Sequence, residues 1–119
     1  MSYSRGDIVI VPFPFVLQRG ELERKARPAL VVSDEKIERR YDDLVLVAIT
    51  SRVPKKLKVT ELSLRATART GLAKESVLRT EFLMTLPQNL VARKIGKLSD
   101  DEMRAVDEKL ALSLGIYGG

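Results

Sequence analysis

The run Leu44-Val45-Leu46-Val47-Ala48-Ile49 decides the fold. It is apolar at every position, β-branched at alternate ones and far too short to cross a bilayer, which makes it a strand covered on both faces. Toward the N-terminus, Ala29-Leu30-Val31-Val32 forms a second strand and Ile8-Val9-Ile10-Val11 a first. The first strand is expected to end at Pro12, because proline has no N–H to give a ladder. Residues 13–27, with Phe13-Pro14-Phe15 and the charged Arg19-Gly20-Glu21, then read as a long exposed loop. Toward the C-terminus, Thr60-Glu61-Leu62-Ser63-Leu64 alternates as a half-exposed strand does. Ser76 to Thr80 and Leu90 to Ile95 complete the β-like segments.

One helix closes the chain. Ser99-Asp100-Asp101-Glu102 is a capping box, with Leu98 and Met103 at the spacing of a hydrophobic staple. Met103, Val106, Leu110 and Leu114 recur at helical intervals and define a buried face, and Gly115 stands where a helix-ending glycine belongs. No repeat or linker interrupts the 119 residues, so a single domain spans 1–119. The pattern is mainly β with one C-terminal helix, a strongly bent sheet or small, partly open barrel.

Composition narrows the chemistry. Cysteine and histidine are both absent, which excludes disulfides, thiolate nucleophiles and the usual imidazole acid–base. Hydrolytic chemistry would have to rest on Arg, Lys, Asp, Glu, Ser, Thr or Tyr, and a metal only on oxygen ligands. The net charge of +5 is concentrated: residues 52–80 hold eight basic and two acidic side chains. Such a basic stretch is the footprint of a nucleic-acid partner, or else an ordinary solvated surface. The N-terminus has no apolar stretch of signal-peptide length, so the expected location is the cytoplasm, away from membranes.

Several segments in order resemble the MazF/PemK toxin family. They are Arg5-Gly6-Asp7-Ile8-Val9-Ile10-Val11, Lys25-Ala26-Arg27-Pro28-Ala29-Leu30-Val31-Val32-Ser33, Leu46-Val47-Ala48-Ile49-Thr50-Ser51, Gly71-Leu72, Glu75-Ser76-Val77-Leu78-Arg79 and Gly96-Lys97-Leu98-Ser99. The resemblance covers roughly residues 5 to 115. It implies an SH3-like small barrel (the MazF/CcdB-like fold) with a C-terminal helix, usually a homodimer. It also implies sequence-dependent cleavage of single-stranded RNA with no cofactor and no metal, restrained by a cognate antitoxin. The family's two catalytic residues fall by motif on Arg27 and Thr50. The chain departs from better-known members at Glu81-Phe82-Leu83-Met84-Thr85, which bears on the bases it reads.

The residue types suit that chemistry. RNA carries its own nucleophile, the 2′-hydroxyl, so a protein need only align it, neutralise the phosphate and move protons. Arg27 offers a permanently charged fork that pairs bidentately with phosphate, and Thr50 a hydroxyl that orients phosphate or 2′-hydroxyl. In isolation, Arg27 reads first as a loop arginine held extended by Pro28, and Thr50-Ser51 as polar residues closing a buried strand. Ser51, Arg52, Phe15, Lys25 and Arg79 are further candidates for RNA contact. Phe13 and Phe15 serve either base stacking or the core, Glu21 and Lys25 either the site or mobile surface charge. Arg79 has a salt bridge to Glu81 or an exposed strand face as its alternatives. Three rival functions remain: a toxin of the same fold that inhibits DNA gyrase, a basic RNA- or DNA-binding module, and a metal nuclease on Asp42-Asp43 or Asp100-Asp101-Glu102.

Overall fold

A computed structural model describes residues 2–16 and 22–116, with backbone alone for 14–16 and 22–24. Among the described residues the strands are β1 (Asp7–Val16), β2 (Leu22–Val31), β3 (Asp43–Thr50), β4 (Glu61–Leu64), β5 (Ser76–Pro87) and β6 (Arg93–Lys97). A single 3-10 turn, Gln88–Leu90, separates β5 from β6, and α1 (Asp100–Leu114) follows. All pairings are antiparallel, in the order β4-β5-β3-β2-β1-β6, and the sheet curls into a half-barrel. The apolar run of β3 lies at position three of six, with neighbours on both sides.

β1 does not stop at Pro12: residues 13–16 and 22–27, expected in a loop, are strand. β1 and β2 form a long hairpin in which Phe13 faces Lys25 and Phe15 faces Glu23. The register explains how prolines enter a ladder. Pro12 pairs with Ala26, Pro14 with Arg24 and Pro28 with Ile10, all on one parity. Antiparallel pairs alternate between bonded and non-bonded positions, and a proline fits only the latter. Ile10, on this parity, sends its carbonyl to the Ala92 N–H on the other flank of β1. β6 pairs β1 no further than Ile10, so Pro12 and Pro14 turn their ring nitrogens to an uncovered edge. There they also deny an incoming strand its donors. Two smaller differences follow the same logic of pairing over composition: β5 runs on to Pro87, and β6 begins at Arg93 instead of Leu90.

Both faces of the sheet are buried, as the continuous apolar pattern of β3 demands. Ile8, Leu30, Val47, Ile49 and Leu78 pack on one face with Val106, Met103 and Leu110 of α1. Val9, Val11, Phe13, Ala29, Val31, Leu44 and Leu46 fill the other, with Tyr3 and Leu86. The helix begins as the capping box requires. Glu102 N–H donates to the Ser99 hydroxyl at 3.2 Å, and Ser99 N–H donates to Glu102 Oε1 at 2.8 Å. Arg69 adds an ion pair to Glu102. Burial raises the Glu102 pKa, but the Ser99 backbone N–H, the Arg69 guanidinium and the Ser99 hydroxyl outweigh it, leaving the carboxyl below its ordinary value. Leu98 is buried in the cluster that Met103 packs against, so the staple is in place. Leu114, expected on the buried face, is instead 55% exposed. Ser113 occupies the inward position of the last turn, sharing a hydrogen bond with Thr80 of β5.

Candidate functional site

The β2–β3 ladder runs only from Val31↔Leu46 to Ala29↔Ala48. Val32 donates its N–H to Val45 O, so residues of its parity on β2 face β3, and Pro28 is one of them. With no N–H to give, Pro28 ends the pairing, and the two strands part. Carrying the register two steps further sets Pro28 opposite Ile49 and Arg27 opposite Thr50. Arg27 and Thr50 therefore share a sheet face with Ala29 and Ala48, just past the last paired residues. Both side chains are half-buried, which lets rigid strands present them without removing them from solvent.

The gap so opened is a cleft of about 220 Å³ bordered by Arg27, Pro28, Ile49 and Ser51, and on its far side by Leu72, Lys74 and Ser76. The far side arrives through a loop organised by one buried hydroxyl. Thr70 Oγ1 donates to Arg65 O at 2.8 Å and accepts from Thr67 N–H at 3.0 Å. Gly71 follows at φ +69°, where an added Cβ would lie 1.9 Å from Ile95 O. Only glycine fits both the backbone sign and the approach to β6. Lys74, Leu72 and Ser76 were not among the expected site residues, although Leu72 and Ser76 lie in segments that carry the family resemblance. Lys74 was one of eight basic residues in its stretch, and nothing local ties it to Arg27, which lies 47 positions earlier.

The remaining candidates divide. Thr50 Oγ1 accepts the Arg52 N–H at 3.1 Å, which fixes the hydroxyl and keeps its proton for donation. Ser51 and Arg52 are exposed beside it. Lys25 is exposed on the same face of β2 as Arg27. Arg79 pairs across from Ala48, is exposed, and sets its guanidinium 5.8 Å from the centre of the Phe82 ring. Among the described residues it forms no salt bridge with Glu81, which instead accepts a hydrogen bond from Thr60. Phe13 belongs to the core: it is 4% exposed and meets Phe82 edge to face at 4.8 Å. The side chain of Phe15 lies outside the described residues, as does Glu21. Four of the five carboxylates weighed as metal ligands are engaged elsewhere: Asp42 with Gln88, Asp43 with Arg39, Asp101 with Arg104 and Glu102 with Ser99 and Arg69. Among the described residues no helix is long and apolar enough to cross a membrane.

Comparison with known proteins follows the same lines. Residues 4–114 match the PemK-like, MazF-like toxins of type II toxin–antitoxin systems. Endoribonuclease EndoA of Bacillus subtilis (strain 168) is 29% identical over 116 residues, spanning 98% of this chain and 97% of that protein. The Mycobacterium tuberculosis toxin MazF-mt6 superposes with a TM-score of 0.72 at 24% identity, over 94% of this chain and 99% of its own. An endoribonuclease in complex with its cognate antitoxin, from Mycobacterial species, superposes with a TM-score of 0.73 at 20% identity, over 99% and 100%. A family match that begins at residue 4 and ends at residue 114, on a fold shared from end to end, leaves one assignment: this chain belongs to the PemK-like, MazF-like toxins of type II toxin–antitoxin systems.

Proposed function

We propose that the chain is an endoribonuclease that cuts single-stranded RNA at preferred sequences, with Arg27 and Thr50 at the scissile phosphate. The observation that carries this reading is the register of β2 and β3, which sets those two side chains opposite each other where Pro28 ends the ladder. The 2′-hydroxyl attacks the adjacent phosphorus and loses its proton to water. The P–O2′ bond forms as the P–O5′ bond breaks, and the departing 5′-oxygen takes a proton from water, leaving a cyclic phosphate and a 5′-hydroxyl. Arg27 pairs with the non-bridging oxygens and offsets the charge that builds in the transition state. Thr50, its oxygen engaged by Arg52 N–H, donates a hydrogen bond to a phosphate oxygen and holds the group in line. Neither group is a strong base at neutral pH, so rate enhancement rests on positioning and electrostatics, and turnover is slow. No protein-bound metal has a part in this scheme. Lys25, Ser51, Arg52 and Arg79 extend the cationic and polar surface along the strand that is cut, and Lys74 faces it from across the cleft.

The mycobacterial endoribonuclease that shares the fold is described in complex with its cognate antitoxin. By that likeness the partner here is an antitoxin that covers the RNA surface, and the working form is a homodimer in the cytoplasm. The test is incubation of the pure protein with a long single-stranded RNA in excess chelator, with the fragment ends mapped. Discrete fragments with 5′-hydroxyl ends, lost in Arg27→Ala, are expected. Cleavage only on addition of magnesium would remove the mechanism. RNAs of several unrelated sequences left intact would return the gyrase-inhibitor and binding-module readings.

A further inference from the structure

A second cleft, of about 280 Å³, is left unused by the cutting chemistry. Its walls are Lys56, Lys58 and Thr60 from the segment before β4, and Arg79 and Glu81 from β5. It adjoins the proposed cutting site through Arg79, which faces Ala48, two residues before Thr50.

A bulge shapes it. Between β3 and β5 the register jumps from Val47↔Leu83 to Ala48↔Arg79, so Thr80, Glu81 and Phe82 are extra residues on β5. Bulges of this kind re-aim side chains beside functional sites. Thr80 is fully buried, its hydroxyl within 2.5 Å of Thr60 O and of Ser113 Oγ. With Thr80 drawn inward, Arg79 and Glu81 on either side of it are exposed. Thr60 then donates its hydroxyl to Glu81 Oε1, which orients the carboxylate. Glu61, a second carboxylate in the wall, is already occupied, accepting the Lys58 N–H at 2.7 Å.

Lys56, Lys58 and Arg79 suit an RNA backbone. A carboxylate among them does not, because it repels phosphate and can only accept hydrogen bonds. Among the described residues Glu81 forms no ion pair that would make it a mere counter-charge. What it can accept from RNA is a ribose 2′-hydroxyl or a base donor, and only the second differs with sequence. Cytosine, adenine and guanine carry exocyclic amino groups, whereas uracil offers its imino N–H flanked by two carbonyls that the carboxylate repels. We propose that this cleft is a base-reading subsite beside the scissile phosphate, in which Glu81 accepts from an amino-bearing base and excludes uracil. The proposal rests on the ribonuclease reading above.

The experiment is cleavage of a randomised single-stranded RNA pool by the wild type, E81Q and T60V, with sequencing of the fragment ends. In the wild type, one position near the cut should be depleted of uracil by about tenfold relative to the amino-bearing bases. Glutamine both donates and accepts, so in E81Q that depletion should fall to about threefold or less, other positions being unchanged. T60V releases Glu81 without removing it, should weaken the depletion part way, and carries the test if E81Q does not fold. Cuts showing no uracil-poor position, or the same depletion in both variants as in the wild type, would overturn this subsite alone. A pool left intact by the wild type would remove the ribonuclease reading and the subsite with it.

Discussion

The start of α1 and the end of the β2–β3 ladder solve opposite problems. At Ser99 the free donors of a helix end are taken up locally: the hydroxyl accepts from Glu102, Glu102 accepts from Ser99, and Arg69 holds the carboxylate. At Pro28 a donor is missing by covalent structure, and two strands come apart where pairing would otherwise continue. The first region is complete within four residues and contributes stability. The second is left incomplete, and the gap opens a cleft bordered by Arg27 and Lys74, with Thr50 set between the lining residues Ile49 and Ser51. The contrast teaches that a small sheet can place a site by withholding a hydrogen bond.

The contrast can be pressed at several points. Arg27→Ala and Thr50→Ala should each slow RNA cleavage by about a hundredfold or more, the scale for losing one transition-state donor. Thermal melting should stay near that of the wild type, because neither side chain lies in the core. A large loss of melting temperature with proportionate loss of activity would mean that these residues hold the fold instead. Gly71→Ala should cost at least about 2 kcal/mol of stability, since its Cβ meets Ile95 O at a left-handed backbone position. Chemical denaturation measures it, and a wild-type midpoint would mean that the loop has other ways to carry Lys74 to the cleft.

Pro28→Val tests the opening directly. It restores an N–H that can extend the ladder toward Ile49, so cleavage should fall by roughly tenfold with stability unchanged or slightly raised. Unchanged cleavage would show that the gap is set by something other than the missing donor. The smallest effect belongs to the helix cap. Ser99→Ala should lower stability by about 1 kcal/mol and leave the cutting rate as it was. Because the Glu102 carboxyl sits below its ordinary value of 4.5, its contribution is present above that pH and is lost as pH falls through the depressed folded value. Denaturation midpoints of wild type and Glu102→Gln should therefore converge in acid, and a constant difference down to strongly acidic pH would remove the Glu102 charge from the cap.

What was legible in the chain follows the range of the interactions. The α1 cap depends on residues three apart, and Ser99, Glu102 and Gly115 announce it. The two-sided burial of β3 is announced by Leu44 to Ile49 alone. Pro12 and Pro14 misled, because a proline ends a strand only if its nitrogen must face a partner. That depends on where β6 stops, which no local pattern states. The inward turn of Ser113 in place of Leu114 was hidden for a like reason, since it answers to Thr80 on another element. At the candidate site, Arg27 and Thr50 emerged from family resemblance, whereas their mutual placement needed the register. Lys74 and the bulge that exposes Glu81 needed the folded chain.

The prolines of the hairpin also act as a key. Pro12, Pro14 and Pro28 share one parity in the observed alignment of β1 with β2. A slip by one residue would have to swing either Pro28 or the Pro12 and Pro14 pair into positions that demand an N–H. It would also turn Val9, Val11 and Phe13 out of the core. Misaligned hairpins are thus penalised twice during folding, in hydrogen bonds and in burial. The residue that parts the strands at the proposed cutting site is one of the teeth that keeps them from closing in the wrong place.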